Sequence, residues 1–181
     1  MFPIQRSINP CELPPSALLR KYDYKGAYAD CYVTEIATPV SQAEYVEAFY
    51  TTGVFKLERL ILRWLVSKPS SDSDARRLAH AEIDSFAAWS VEDRAPNQLL
   101  LCDFQHRTRS WLMVAPIESD GAGTRLYFGS AVVPVRAKSG EASLSFTYSA
   151  LLGFHKLYSR ILLRAARSRL AGQRCAGGAR E

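Results

Sequence analysis

Apolar side chains recur with a helical period from Leu151 to Leu170, LLGFHKLYSRILLRAARSRL. At about 100° per residue, Lys156, Arg160, Arg164 and Arg167 fall on one narrow stripe. Leu151, Phe154, Tyr158, Ile161, Leu162 and Ala165 gather opposite, and Leu152, Leu157 and Leu163 widen that side. The apolar face is broader than the roughly 100° stripe of an ordinary surface helix, so a curved partner is expected to grip it. The helix is expected to begin between Ser143 and Leu151. His155 falls on the apolar side between Leu151 and Leu162 and is expected to be buried against a sheet.

Upstream the period changes. Phe86–Val91, Leu99–Phe104, Thr108–Ala115 and Thr124–Val133 read as strands, separated by the polar turns EDRAPN, QHR and ESDGAG. Asp120-Gly121 in the last is a hairpin signal. Tyr28–Ala37, with Tyr32, Val33, Thr34 and Ile36, adds a fifth strand. The short connections require antiparallel neighbours. If the QHR turn centres on His106, Asp103 faces Arg109, Leu101 faces Trp111 and Leu99 faces Met113, all on one side of the sheet. Both sides of this hairpin are apolar away from the turn, so one should meet the long helix and the other a helix or a partner.

Between the first strand and the rest lies a helical block. Ser41-Gln42-Ala43-Glu44 is a capping box opening a helix that carries Tyr45, Val46, Phe49 and Tyr50. Gly53 separates it from a second helical segment, Val54–Val66. A third runs from Asp74 to Ile83, with Asp72 or Asp74 as its cap. Residues 1–27 read as an extended, Pro-rich leader with a short helical turn at Pro15–Lys21. Residues 172–181 read as a tail. The expected fold class is therefore α+β in a single domain: an antiparallel sheet of about five strands curled around a long C-terminal helix.

Composition alters this picture little. A chain of 181 residues with 48% hydrophobic and 23% charged residues is an ordinary globular domain, large enough to bury about 70% of its surface without staples. The net charge of +5 is uneven. Lys156, Arg160, Arg164, Arg167, Arg169, Arg174 and Arg180 crowd the C-terminus against Glu181, which leaves the preceding body slightly acidic. The stripe is expected to be solvated and to bind no nucleic acid specifically, because it lacks base-reading groups. Cys11, Cys31, Cys102 and Cys175 form no CxxC pair, and the N-terminus has no signal-like apolar run. Free thiols and a cytoplasmic location are expected. No apolar run is long enough to span a membrane.

Candidate chemistry is sparse. His155 with Tyr158, one turn later, could serve as an acid–base pair in a cavity, as could Asp103 with Arg109. The alternatives are a hydrogen-bonded core histidine and a hairpin-end ion pair contributing under about 1 kcal/mol. His80 and His106 are scattered, no metal-ligand spacing occurs, and no cofactor is called for. The large rings and neighbours Tyr45, Phe49, Leu101, Trp111, Met113, Tyr127, His155 and Tyr158 are the candidate lining of an apolar binding cavity.

The order of strand, helices, antiparallel meander and long final helix resembles the helix-grip fold of the START and Bet v 1-like ligand-binding proteins. The stretches LPPSALL, YADCYVTEI, DFQHRTRSWLMVAP and GFHKLYSRILLRAA also resemble a bacterial domain family of that fold, in which an aromatic-His-basic step opens the final helix, here Phe154-His155-Lys156. The resemblance implies a sheet around the long helix with a cavity between them, and no reaction. The departures are a sheet one or two strands short of seven and a longer helical block from Ser41 to Ile83. Three functions follow as expectations: binding of a hydrophobic or amphipathic small molecule, a cyclase, dehydratase or isomerase on the same scaffold, and a homodimeric interaction module.

Overall fold

Nine residues rich in aromatic and β-branched side chains, Tyr28–Ile36, form β2, the strand that lies between the first strand of the chain and the last. On one side it pairs with the two-residue β1 (Asn9–Pro10). On the other it pairs along its whole length with the last strand, β7 (Thr124–Val132), from Tyr28↔Val132 to Ile36↔Thr124. The remaining strands are β3 (Ser85–Phe86), β4 (Trp89–Ala95), β5 (Gln98–Asp103) and β6 (Thr108–Pro116). All pairs are antiparallel, in the order β1-β2-β7-β6-β5-β4-β3. The computed structural model describes residues 7–24, 27–56, 70–117, 123–133 and 145–177, with side chains of the last segment described over 156–173.

The protein is thus α+β with a seven-stranded antiparallel sheet and a long C-terminal helix, where about five strands were expected. The two extra strands are the two-residue edges β1 and β3, too short for a hydrophobic pattern to show. Short edges also limit pairing with other chains. The EDRAPN stretch is not a turn over its length. Glu92, Asp93, Arg94 and Ala95 belong to β4, and the connection closes between Ala95 and Gln98. A bulge between Val91 and Asp93 inserts Glu92 into the ladder.

Local chemistry sets the helices. Ser41 Oγ accepts from the Glu44 amide, and the Glu44 carboxylate accepts from the Ser41 N–H at 2.8 Å, the expected capping box opening α1 (Gln42–Tyr50). A second box, Ser71 with Asp74, opens α2 (Asp72–Ala79), so Ser71 is the cap where an aspartate was expected. A helical stretch covers residues 53–56, and the rest of the expected Val54–Val66 segment lies outside the described residues. The final helix, α3 (Ser145–Gly177), includes part of the expected tail.

α1 and α3 lie on one face of the sheet. There Tyr32, Ile36, Leu99, Leu101, Leu112, Leu126 and Phe128 meet Tyr45, Phe49, Leu162, Leu163, Ala166 and Leu170 in the main core. The other face carries its own core of Cys31, Leu100, Trp111, Met113 and Ala131, covered by the leader through Ala17 and Leu19. Leu19 belongs to a 3₁₀ helix, Leu18–Tyr22. The expected second covering element is therefore the leader itself. Buried Gln98 fastens it: its Oε1 accepts from the Leu18 amide and from Trp111 Nε1, both at 2.9 Å, and its Nε2 donates to Ser16 O at 2.9 Å.

Gly129 makes this docking close. A Cβ there would stand 2.8 Å from Leu19 Cδ2, 2.9 Å from the Asp30 carbonyl oxygen and 2.9 Å from Trp111 Cε3. Backbone and a fully buried ring cannot yield cheaply. Gly129→Ala is expected to cost about 1–3 kcal/mol, read as a lower urea midpoint. An unchanged midpoint would mean that the leader does not sit this tightly in solution.

The hairpin register differs from expectation by one residue. Cys102 pairs with Arg109, Leu101 with Ser110, Leu100 with Trp111, Leu99 with Leu112 and Gln98 with Met113. Leu101 and Trp111 consequently occupy opposite faces. The turn has four residues, 104–107, where three were expected, and His106 within it lies in the left-handed region at φ 58°. Asp103 Oδ1 accepts from the amides of Arg107 (2.7 Å) and Thr108 (3.1 Å), which closes this longer turn.

Candidate functional site

The expected cavity lining is divided by that register. Tyr45, Phe49 and Leu101 are fully buried in the main core, and Tyr158 packs partly buried against it. The Phe49 ring lies 4.9 Å from Phe128, 5.2 Å from Tyr50 and 6.2 Å from Tyr45, and the Tyr45 hydroxyl donates to the Tyr127 carbonyl at 3.1 Å. Burial pushes the Tyr45 phenol well above its ordinary value, so it stays a neutral donor. Trp111, Met113 and Tyr127 face the leader instead. One pocket cannot be lined by both groups. The side chain of His155, expected to be buried, lies outside the described residues; Lys156, next to it, is exposed, with Nζ 5.7 Å from the Tyr28 ring centroid.

The expected Asp103–Arg109 pair does not form. Asp103 caps its turn, and Arg109 is held by the bulge residue: Arg109 Nε donates to Glu92 Oε2 at 2.7 Å. Lys21 Nζ lies 2.7 Å from Glu92 Oε1, and the Tyr22 hydroxyl donates to the same oxygen at 2.5 Å. Arg109 also stacks 4.6 Å over the Tyr22 ring and donates to the His106 carbonyl at 2.7 Å. Burial works to raise the Glu92 carboxyl. Hydrogen bonds from Lys21 and Tyr22 and the charge of Arg109 outweigh it, leaving Glu92 below the usual carboxylate range. Every polar group here has a partner in the fold, so the cluster anchors the leader rather than presenting a reactive group. A bulge glutamate in a stretch read as a turn left no sequence signal for it.

Unsatisfied surface chemistry lies elsewhere, on the outer side of α3. Leu157 and Ile161 were expected on the buried side, yet they are 58% and 42% exposed. Ser159, Leu162, Leu163 and Ala166 take the buried positions. The α3 apolar arc is wider than the face that α1, β2 and β7 cover, and the surplus opens into a groove of about 730 Å³ lined by Ser7, Ile8, Leu157, Arg160, Ile161, Arg164 and Arg167. The basic stripe is its polar margin: Arg160 and Arg164 are exposed, and Arg167 donates from Nε to the Glu35 carbonyl at 3.1 Å. Among the described residues, neither Arg160 nor Arg164 makes an ion pair. The sequence held both halves of this signal, the stripe and the over-wide apolar arc, but not which leucines stay outside.

No family model and no curated protein matches the chain. A solved structure of a conserved protein of unknown function from Enterococcus faecalis is similar over 78% of this chain and 71% of that one, at 13% identity and a TM-score of 0.36. Among the described residues there is no group of three or more His, Cys, Asp or Glu side chains able to hold a metal ion, and no helix long and apolar enough to cross a membrane.

Proposed function

We propose that the protein binds a small amphipathic anion, a carboxylate or phosphate on a short apolar body, in the groove along α3. The observation that carries this reading is the exposure of Leu157 and Ile161 in the same groove as Arg160, Arg164 and Arg167. The volume lies in the range of small-molecule sites. The aliphatic pair removes the ligand body from water, at about 25 cal/mol per Å² of apolar surface. The guanidiniums receive the head through charge-assisted, bidentate hydrogen bonds. The proposed helix-grip fold would then hold its ligand on the outer flank of the terminal helix, rather than in the cavity between sheet and helix that the resemblance implies. The ligand then sits outside the sheet–helix core, and a cytoplasmic location fits the free thiols.

An enzyme reading has less support. Tyr158 packs on the α3 face of the sheet, whereas Arg109 sits with the leader on the other, and Asp103 is committed to its turn. The dimer reading competes for the same exposed pair, and one titration separates the two. Dodecanoate is expected to bind saturably to the monomer by calorimetry, and Arg160→Glu with Arg164→Glu is expected to weaken it at least about tenfold, the equivalent of 1.4 kcal/mol. Ile161→Asn should weaken it similarly while leaving the fold intact. No saturable binding, or a concentration-dependent dimer that Ile161→Asn abolishes, would replace the ligand reading by the assembly reading.

A further inference from the structure

We propose that Cys11 and Cys31 are a reversible dithiol–disulfide pair, oxidised by small disulfides that carry negative charge, which bonds the leader covalently to β2. The two residues continue the β1–β2 register beyond Asn9↔Val33 and Pro10↔Tyr32, and the Cys11 amide donates to the Cys31 carbonyl at 3.0 Å. They therefore stand directly opposite one another, and their sulfurs are 3.2 Å apart. A disulfide bond of about 2.05 Å is reached by closing roughly 1 Å, within the reach of side-chain rotation.

The two thiols are unequal. Cys31 is buried, while Cys11 is half-buried and lines two surface hollows, of about 400 and 580 Å³. The larger hollow holds both cysteines with two cations, Lys156 and Arg160, against one carboxylate, Asp30, so its net positive charge draws an oxidant bearing carboxylates to the sulfur it must meet. The Cys31 hydrogen bond lowers the Cys11 thiol against the opposing effect of burial. The Cys11 contact, burial and the nearby Asp30 raise Cys31. Cys11 is thus the attacking thiol and Cys31 the resolving one.

The exchange balances without any further reagent. Cys11, as thiolate, attacks one sulfur of the small disulfide and expels a thiolate, forming a mixed disulfide. Cys31 loses its proton to solvent as it attacks the Cys11 sulfur, and the second small thiolate leaves. One external disulfide is reduced to two thiols while two protein thiols become one disulfide. Cys102 serves as an internal contrast: it is buried, its sulfur lies 3.3 Å from His106 Nδ1, and burial raises its thiol.

The test uses the reduced full chain and glutathione disulfide, followed by alkylation, trypsin and mass spectrometry. The expected product is a cross-link between the peptides of residues 7–20 and 26–56, with loss of two hydrogens and no retained glutathione. Cys31→Ser should stop at glutathione on Cys11. Added salt should slow the reaction severalfold with glutathione disulfide and leave that with neutral 2-hydroxyethyl disulfide unchanged. Glutathione retained on Cys11 in the unmutated chain overturns the pair. So does modification confined to Cys102 or Cys175. Equal salt responses for the two reagents overturn the preference for an anionic oxidant.

Discussion

Phe49→Ala is expected to lower the unfolding free energy by about 3–5 kcal/mol. Phe49 is 1% exposed, and its ring has aromatic neighbours on every side: Tyr45 and Tyr50 on α1, Phe55 just beyond it, and Phe128 on β7. The same residue was a candidate for lining a ligand cavity, and the two roles differ in sign. A ring facing an empty cavity loses few contacts on truncation and leaves stability almost unchanged while altering affinity. A ring packed on all sides leaves a void that the surrounding elements cannot fill. For a domain of this size the loss amounts to a melting temperature lower by on the order of 10 °C. Dodecanoate affinity should be unchanged at temperatures where the variant is folded. A variant that melts within a degree of the parent and loses ligand would place the site inside the sheet–helix core.

Glu92→Gln is expected to cost about 2–3 kcal/mol near neutral pH. It leaves Arg109, whose side chain is 10% exposed, without its counter-charge. Glu92 is itself only about one-fifth exposed, so screening by solvent discounts little of the loss. The folded-state carboxyl lies below its unfolded value of about 4.3. A depressed acid stabilises fully above the unfolded value, and its contribution disappears as pH falls through the folded one. The gap between parent and variant should therefore be wide and flat from pH 7 to about 5 and close below about 4. Urea midpoints at each pH measure it. A gap that is constant with pH would show that Glu92 acts through packing rather than charge.

What could be read in advance was the chemistry of short range. The Ser41–Glu44 box lies within four residues, and the alternation in β5, β6 and β7 reports two covered faces directly. The hairpin register failed because it depended on one residue's backbone. A turn one residue longer, with a histidine at φ 58°, gives no compositional sign, and in the register it closes Trp111 lies on the opposite face from Leu101. β4 was cut short because Glu92, Asp93 and Arg94 look like a turn. They remain in the ladder because partners distant in sequence satisfy them: Lys21 and Tyr22 at Glu92, and the Leu78 and Ile83 carbonyls at Arg94. The groove was half legible for the same reason. Helical periodicity orders side chains around an axis, but the width of the covering face belongs to α1, β2 and β7.

The pairing of β2 with β7 has a consequence for how the chain is made. Thr124–Val132 leaves the ribosome some 90 residues after Tyr28–Ile36, which at 5–20 residues per second is a delay of roughly 5–20 s. β4 to β7 are sequential neighbours and can assemble as a meander as soon as they emerge. The early strand must wait, carrying Tyr32, Val33 and Ile36 uncovered, until its only long neighbour exists. β2 is thus the long strand that waits longest for its pairing partner during synthesis. Moving the leader and β2 behind β7 by circular permutation would shorten the vulnerable interval.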